Sequence, residues 1–136
     1  MKKVSATISR ITINPIKSLD GLPLQNAQIT EGGCLLHDRE YAICDAEGQF
    51  ITGKSNALVH SLRSTVDFEN QVVSFRQQGE NTWQIFHLVK DKSAIEDYLS
   101  VHFHTAVNFL QNNSGRFLDI PDVSGLTILS TESLQA

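Results

Sequence analysis

Along most of the chain, apolar and polar residues alternate with the two-residue period of β-strands, and short turn signals interrupt the alternation. From Val4 to Ile13 the apolar positions run Val4, Ala6, Ile8 and then Ile11, Ile13. The change of parity near Arg10 predicts one strand bent by a β-bulge. The next segment, NPIKSLDGLPL, reads as an ordered loop, because Pro15 and Pro23 lack amide donors and Asp20-Gly21 is a turn signal. NAQIT then suggests a short strand, Gly32-Gly33 a turn, and EYAICD, AEG and QFIT together a β-hairpin. SLRSTVDF places Leu62, Ser64, Val66 and Phe68 on one face, Glu69-Asn70 turns the chain, and QVVSFRQ returns as its hairpin partner. QQGEN turns once more into TWQIFHL.

One segment breaks the period. In SAIEDYLSVHF the apolar residues Ile95, Tyr98, Leu99 and Phe103 recur at helical spacing, and Ser93 with Glu96 forms a capping-box pattern. One amphipathic helix is predicted over residues 93–103. TAVNFL follows as a strand and QNNSG as an exposed loop. The closing SGLTILSTESLQA combines a strand, Leu126 to Leu129, with a helix-start signature at Ser130, Thr131, Glu132 and Ser133. The fold class expected is therefore mainly β, a bent or incomplete β-barrel of short antiparallel strands with one helix. A single domain over residues 1–136 is expected, and a helix cap with almost no helix after it leads us to expect a continuation beyond Ala136.

Composition narrows the functional classes. No apolar stretch approaches the ~20 residues of a spanning helix, and MKKVSATISR has neither an apolar h-region nor a small-residue cleavage site. A soluble, cytoplasmic protein without a membrane partner is expected. In such a compartment Cys34 and Cys44 stay reduced, and their spacing fits neither a CxxC motif nor a zinc knuckle, so they read as small apolar side chains. The net charge of −4, with scattered Lys and Arg, argues against nucleic acid. His102 and His104 flank Phe103 without ligand companions, and His37, His60 and His87 also lack them; all read as surface or half-buried. GxSxG, HExxH, P-loop and GxGxxG patterns are absent. Trp83 and the phenylalanines read as core.

Two segments carry a resemblance: NPIKSLDGLPLQNAQITEGGCLLHDREYAICDAEGQFIT and LTILSTESL. They resemble the MOSC N-terminal β-barrel domain, which precedes the MOSC domain in the mitochondrial amidoxime-reducing component and bacterial relatives. The family pattern is roughly Tyr-Pro-x-Lys-Ser-x-x-Gly, Gly-Leu-x-x-Asp-Arg, an aromatic strand, Asp-x-x-Gly and Thr-x-Arg. Pro15, Lys17, Ser18, Gly21, Asp38, Arg39, Tyr41, Asp45, Gly48 and Thr52 match it in order. Asn14 replaces the usual aromatic before proline, Lys54 stands where arginine is common, and no proline follows Asn56. The MOSC domain, with the cysteine that ligates molybdenum in the family, has no counterpart here, and neither Cys34 nor Cys44 aligns with that cysteine.

The resemblance implies that Lys17, Ser18 and Arg39 lie near the pterin and phosphate of a molybdenum cofactor, with Ser130 and Thr131 contributing from the end of the chain. A phosphate is served by a cationic point charge, a forked guanidinium and a hydroxyl, which Lys17, Arg39 and Ser18 supply. The cofactor, molybdopterin with its metal, is expected only together with a MOSC domain in cis or trans, and none in the isolated chain. An iron–sulfur or haem donor would supply electrons for reduction of N-hydroxylated or similarly oxidised nitrogen. Without the resemblance, Asp38-Arg39 is a solvated ion pair, Lys17 a loop lysine, and Ser130-Thr131 a strand end and helix cap. The competing function is a stand-alone interaction or anion-binding module with no redox role.

Overall fold

The computed structural model describes residues 7–112 and Phe117. Among them are seven strands: β1 (Ile11–Ile13), β2 (Leu22–Leu24), β3 (Tyr41–Asp45), β4 (Leu62–Asp67), β5 (Val72–Gln77), β6 (Gln84–His87) and β7 (Val107–Gln111). A 3-10 turn (Ala57–Ser61) precedes β4, and a single α-helix, α1 (Lys92–Phe103), lies between β6 and β7. The strands form three small antiparallel sheets, β1-β2, β3-β7 and β4-β5-β6, and no sheet of the described residues closes on itself. The mainly β, incomplete-barrel expectation is met.

The β4–β5 hairpin shows how local chemistry sets register. Asp67 accepts hydrogen bonds from the backbone and side-chain amides of Asn70 at 3.2 and 2.8 Å, folding the turn on itself. That turn pairs Asp67 with Val72 and carries the register back to Leu62 and Gln77. Leu62, Ser64 and Val66 consequently face inward, opposite Val73 and Phe75 of β5.

Helix α1 packs chiefly along β7, and its Ile95, Leu99 and Phe103, the stripe that its periodicity predicts, join Ile43 and Phe109 of the β3-β7 pair and Val66, Val73 and Phe75 of the β4–β5 hairpin in one core. Its entry differs from the capping-box expectation. The N-cap is Asp91, which makes no side-chain cap bond, and Ser93 is exposed. Glu96 is engaged elsewhere: its carboxylate accepts the backbone N–H of Phe109 at 2.8 Å. Ser100 Oγ likewise accepts the Val107 N–H at 3.1 Å. Helix side chains thus satisfy amides along the edge of β7 that faces away from β3, where an open edge would leave them bare.

Other local expectations shift in the same direction, toward shorter pairing. Only Ile11–Ile13 of the bent-strand prediction is strand; residues 7–10 are irregular, and Val4 and Ala6 lie outside the described residues. Part of the predicted loop instead forms β2, in which Pro23 sits opposite Thr12 as the missing donor permits on a two-stranded edge. Gly21 precedes that strand where an added Cβ would lie 2.7 Å from Thr12 Cγ2, so a side chain there would require the exposed Thr12 side chain to turn away. The NAQIT strand reduces to one bridge, Ile29 to Leu35, and the QFIT return strand to one bridge, Cys44 to Phe50. Trp83, expected in the core, is 37% exposed with Arg76 over its ring, whereas His102, expected nearer the surface, is buried with Nε2 on the Leu58 carbonyl at 2.9 Å. The strand at Leu126 to Leu129 and the helix start after it lie outside the described residues.

Glu96→Ala should cost about 1–3 kcal/mol in urea unfolding, because the Phe109 amide loses its acceptor. The exposed neighbour change Asp97→Ala should stay within about 0.5 kcal/mol.

Candidate functional site

Lys17, Ser18 and Arg39, three of the residues that the resemblance assigns to a cofactor grip, lie on two backbone segments that run side by side. Ile16 bridges Tyr41 in parallel, the Lys17 N–H donates to the Tyr41 carbonyl at 2.8 Å, and the Tyr41 N–H donates to the Pro15 carbonyl at 3.0 Å. Nearby, the Arg39 N–H donates to the Asn14 carbonyl at 2.7 Å. Asp38 ties the pair together from the side. Its Oδ1 accepts the Asn14 N–H at 2.8 Å while its Oδ2 accepts Arg39 Nη1 at 2.7 Å. Asp38 is buried, so both bonds are charge-assisted in a low-dielectric setting. The solvated-ion-pair reading of Asp38-Arg39 does not describe this carboxylate.

Asn14, the departure from the family's aromatic, closes the loop that carries Lys17 and Ser18, because its Nδ2 donates to the Leu19 carbonyl at 3.1 Å. Backbone conformation marks the same place. Ser18, His37 and Arg39 all have left-handed φ values, 72°, 69° and 50°, which are uncommon for non-glycine residues; Gln71 and His104, at a hairpin turn and the helix C-cap, share them.

The two cations differ in their surroundings. Lys17 is 9% exposed; its Nζ donates to the Phe117 carbonyl at 3.1 Å and lies 5.8 Å from the centre of the Phe50 ring. It is not the loop lysine of the simpler reading. The Arg39 side chain is 32% exposed, with Nη1 on Asp38. Ser18 is exposed beside them in sequence, and Ser130 and Thr131 lie outside the described residues. The structure thus brings the Lys17 and Arg39 backbones onto neighbouring segments, and Phe117 connects them further by donating its N–H to the Arg39 carbonyl at 2.9 Å.

A polar cluster that the sequence did not disclose borders this turn. Buried Glu40 meets His37 Nδ1 at 2.9 Å and Gln111 Nε2 at 2.8 Å, while Gln111 Nε2 also donates to the Tyr41 hydroxyl at 3.2 Å. The His37 ring stacks on Phe68 with centroids 3.9 Å apart. Burial, the Glu40 charge and a hydrogen bond to Glu40 push Tyr41 up to about 12. The signals for this cluster are split between the 37–41 turn and β7, and no local pattern joins them.

In donor chemistry, an ammonium, a guanidinium and a hydroxyl fit a phosphate group. Among the described residues no group of three or more His, Cys, Asp and Glu side chains is placed to hold a metal ion, and Cys34 and Cys44 are buried free thiols. Nor is any described helix long and apolar enough to cross a membrane. Compared with models of known families, residues 5–113 match the MOSC N-terminal beta barrel domain. A search of curated proteins finds no match.

Because the Tyr41 hydroxyl holds its proton more tightly when folded than at its ordinary value of 10.0, the unfolded chain releases that proton first on raising the pH. Its stabilising contribution is complete below about pH 10 and is lost as the pH rises toward about 12. Alkaline unfolding followed by circular dichroism should show this loss, and Tyr41→Phe should flatten the slope in that window.

Proposed function

The chain belongs to the MOSC N-terminal β-barrel domain family, and from that premise we propose that it is the non-catalytic half of a molybdenum-cofactor oxidoreductase, gripping the cofactor's phosphate. The observation that carries the reading is the pairing of the Asn14–Lys17 and Asp38–Tyr41 segments, which puts a lysine and an arginine on adjacent backbones with Asp38 bracing both. Lys17 and Arg39 would hold the phosphate by charge-assisted hydrogen bonds, and Ser18, exposed at the end of the same loop, would add a hydroxyl. Ser130 and Thr131 are proposed as further contacts.

The strained turn supports this role. Left-handed Ser18 and Arg39 are held in place by their hydrogen-bonded neighbours, and a preorganised donor set loses less entropy on binding. A MOSC domain, in cis or trans, would contribute the metal-ligating thiolate, and this domain would shape the substrate side of the cleft. When bound, the molybdenum supplies two-electron reduction of oxidised nitrogen, with an iron–sulfur or haem protein as electron donor. A cytoplasmic setting completes the proposal.

Titration with inorganic phosphate and with a pterin monophosphate, followed by amide NMR, tests the grip. Shifts should centre on residues 14–18 and 37–41, and Lys17→Ala or Arg39→Ala variants that remain folded should each lose about 1.5–3 kcal/mol of binding. Shifts elsewhere, or the same affinity in both variants as in the parent, would remove the cofactor-grip assignment. Equal affinity for phosphate and the pterin monophosphate would favour a simple anion-binding module.

A further inference from the structure

Side chains guard the outer edges of β4 and β7. Asp20 Oδ2 accepts the Ser64 N–H of β4 at 3.1 Å, and Glu96 and Ser100 accept the Phe109 and Val107 N–H groups of β7. Strand β6 is guarded at one end only. The His87 N–H donates to Asp91 Oδ2 at 2.8 Å and the His87 carbonyl accepts the Asp91 N–H at 3.0 Å, so both groups point away from β5 and are satisfied by the turn into α1. The two-residue period of a strand turns the N–H and carbonyl of Ile85, and of Trp83 before it, to that same side. Among the described residues no backbone or side-chain group bonds them there. Their side chains lie on the sheet's outward face: Ile85 sits opposite Ser74 and is 67% exposed, and the Trp83 ring carries the Arg76 guanidinium 4.9 Å from its centre.

We propose that the β6 edge pairs with the same edge of a second copy of the chain, antiparallel and centred on Gln84. In that register Ile85 of each copy faces Trp83 of the other, and each of the two pairs exchanges both backbone hydrogen bonds, as a two-fold axis requires. Centring the pair on Ile85 instead would set Trp83 against His87, whose backbone groups Asp91 already holds. The cap at His87 therefore selects the register. Side chains agree with it, because a β-branched residue and an aromatic make a favourable cross-strand pair, and both are exposed in the single chain. Charge agrees as well. Residues 81–89, NTWQIFHLV, contain no Asp, Glu, Lys or Arg, so two chains of net charge −4 each meet along this edge without opposing like charges. At the β4 and β7 edges a carboxylate occupies the place that an added strand would take.

Sedimentation equilibrium of the full chain, with amide hydrogen exchange at low and high protein concentration, tests the pairing. The parent should dimerise reversibly with a Kd of about 10–300 μM, the weak range that so short an edge supports. Its Trp83 and Ile85 amides should exchange more slowly at high concentration. Ile85→Lys should weaken the dimer at least about tenfold by placing a charge in the pairing. Ile85→Pro, which removes an outward N–H and spares the bonds to β5, should do the same. Val101→Lys, at an exposed apolar residue of α1, should leave the dimer unchanged. A dimer that survives both Ile85 variants, or that Val101→Lys weakens equally, overturns the proposal. So does a parent that stays monomeric at about 1 mM, which would leave the edge to a strand of another protein. Ile85 protection that is independent of concentration overturns it too, because a segment of the same chain would then cover the edge.

Discussion

The geometry around Lys17 and Arg39 depends on one buried carboxylate. Asp38 receives the Asn14 amide on one oxygen and the Arg39 guanidinium on the other, so it fixes two stretches of chain that are 24 residues apart at their hydrogen bond. Removing it would leave the Asn14 amide and the partly exposed Arg39 guanidinium without that acceptor, and water could replace it only in part. Backbone pairing between Pro15, Lys17 and Tyr41 then extends the junction into the core through Ile16, which is 1% exposed.

That junction also explains how left-handed Ser18 and Arg39 can persist. Residues in such conformations relax unless their neighbours over-determine them. Arg39 is over-determined by its N–H on Asn14, its guanidinium on Asp38 and its carbonyl on Phe117. Ser18 sits between Lys17, whose N–H is bonded to Tyr41, and Leu19, whose N–H returns to the Ile16 carbonyl at 3.1 Å. The Glu40 cluster supports the turn from behind, linking His37 to Gln111 of β7 and so tying it to the sheet that α1 covers. The hydrogen bonds that hold the turn are thus concentrated around Lys17 and Arg39.

What the sequence discloses follows the range of the interactions involved. The β4–β5 hairpin is legible because alternation at Leu62, Ser64 and Val66 and a turn at Glu69-Asn70 are local. Helix α1 is legible for the same reason, but its cap is not: the capping-box glutamate is recruited by Phe109, 13 residues on, and nothing within the helix marks that competition. Strands with a single bridge, at Ile29 and Phe50, read as full strands because propensity cannot report whether a partner of matching length exists. Lys17, Ser18 and Arg39 stand out through an ordered motif rather than through the physics of their own segments. The bond from Lys17 to the Phe117 carbonyl, 100 residues away, has no signal in either segment.

That the Asp38-braced junction presents Lys17 and Arg39 to one phosphate is the central claim, and a crystal structure of the chain with a pterin monophosphate tests it most directly. The phosphate is expected within hydrogen-bond distance of Arg39 and of Lys17 Nζ. A phosphate seated away from both cations, with the Asp38 junction intact, would contradict it.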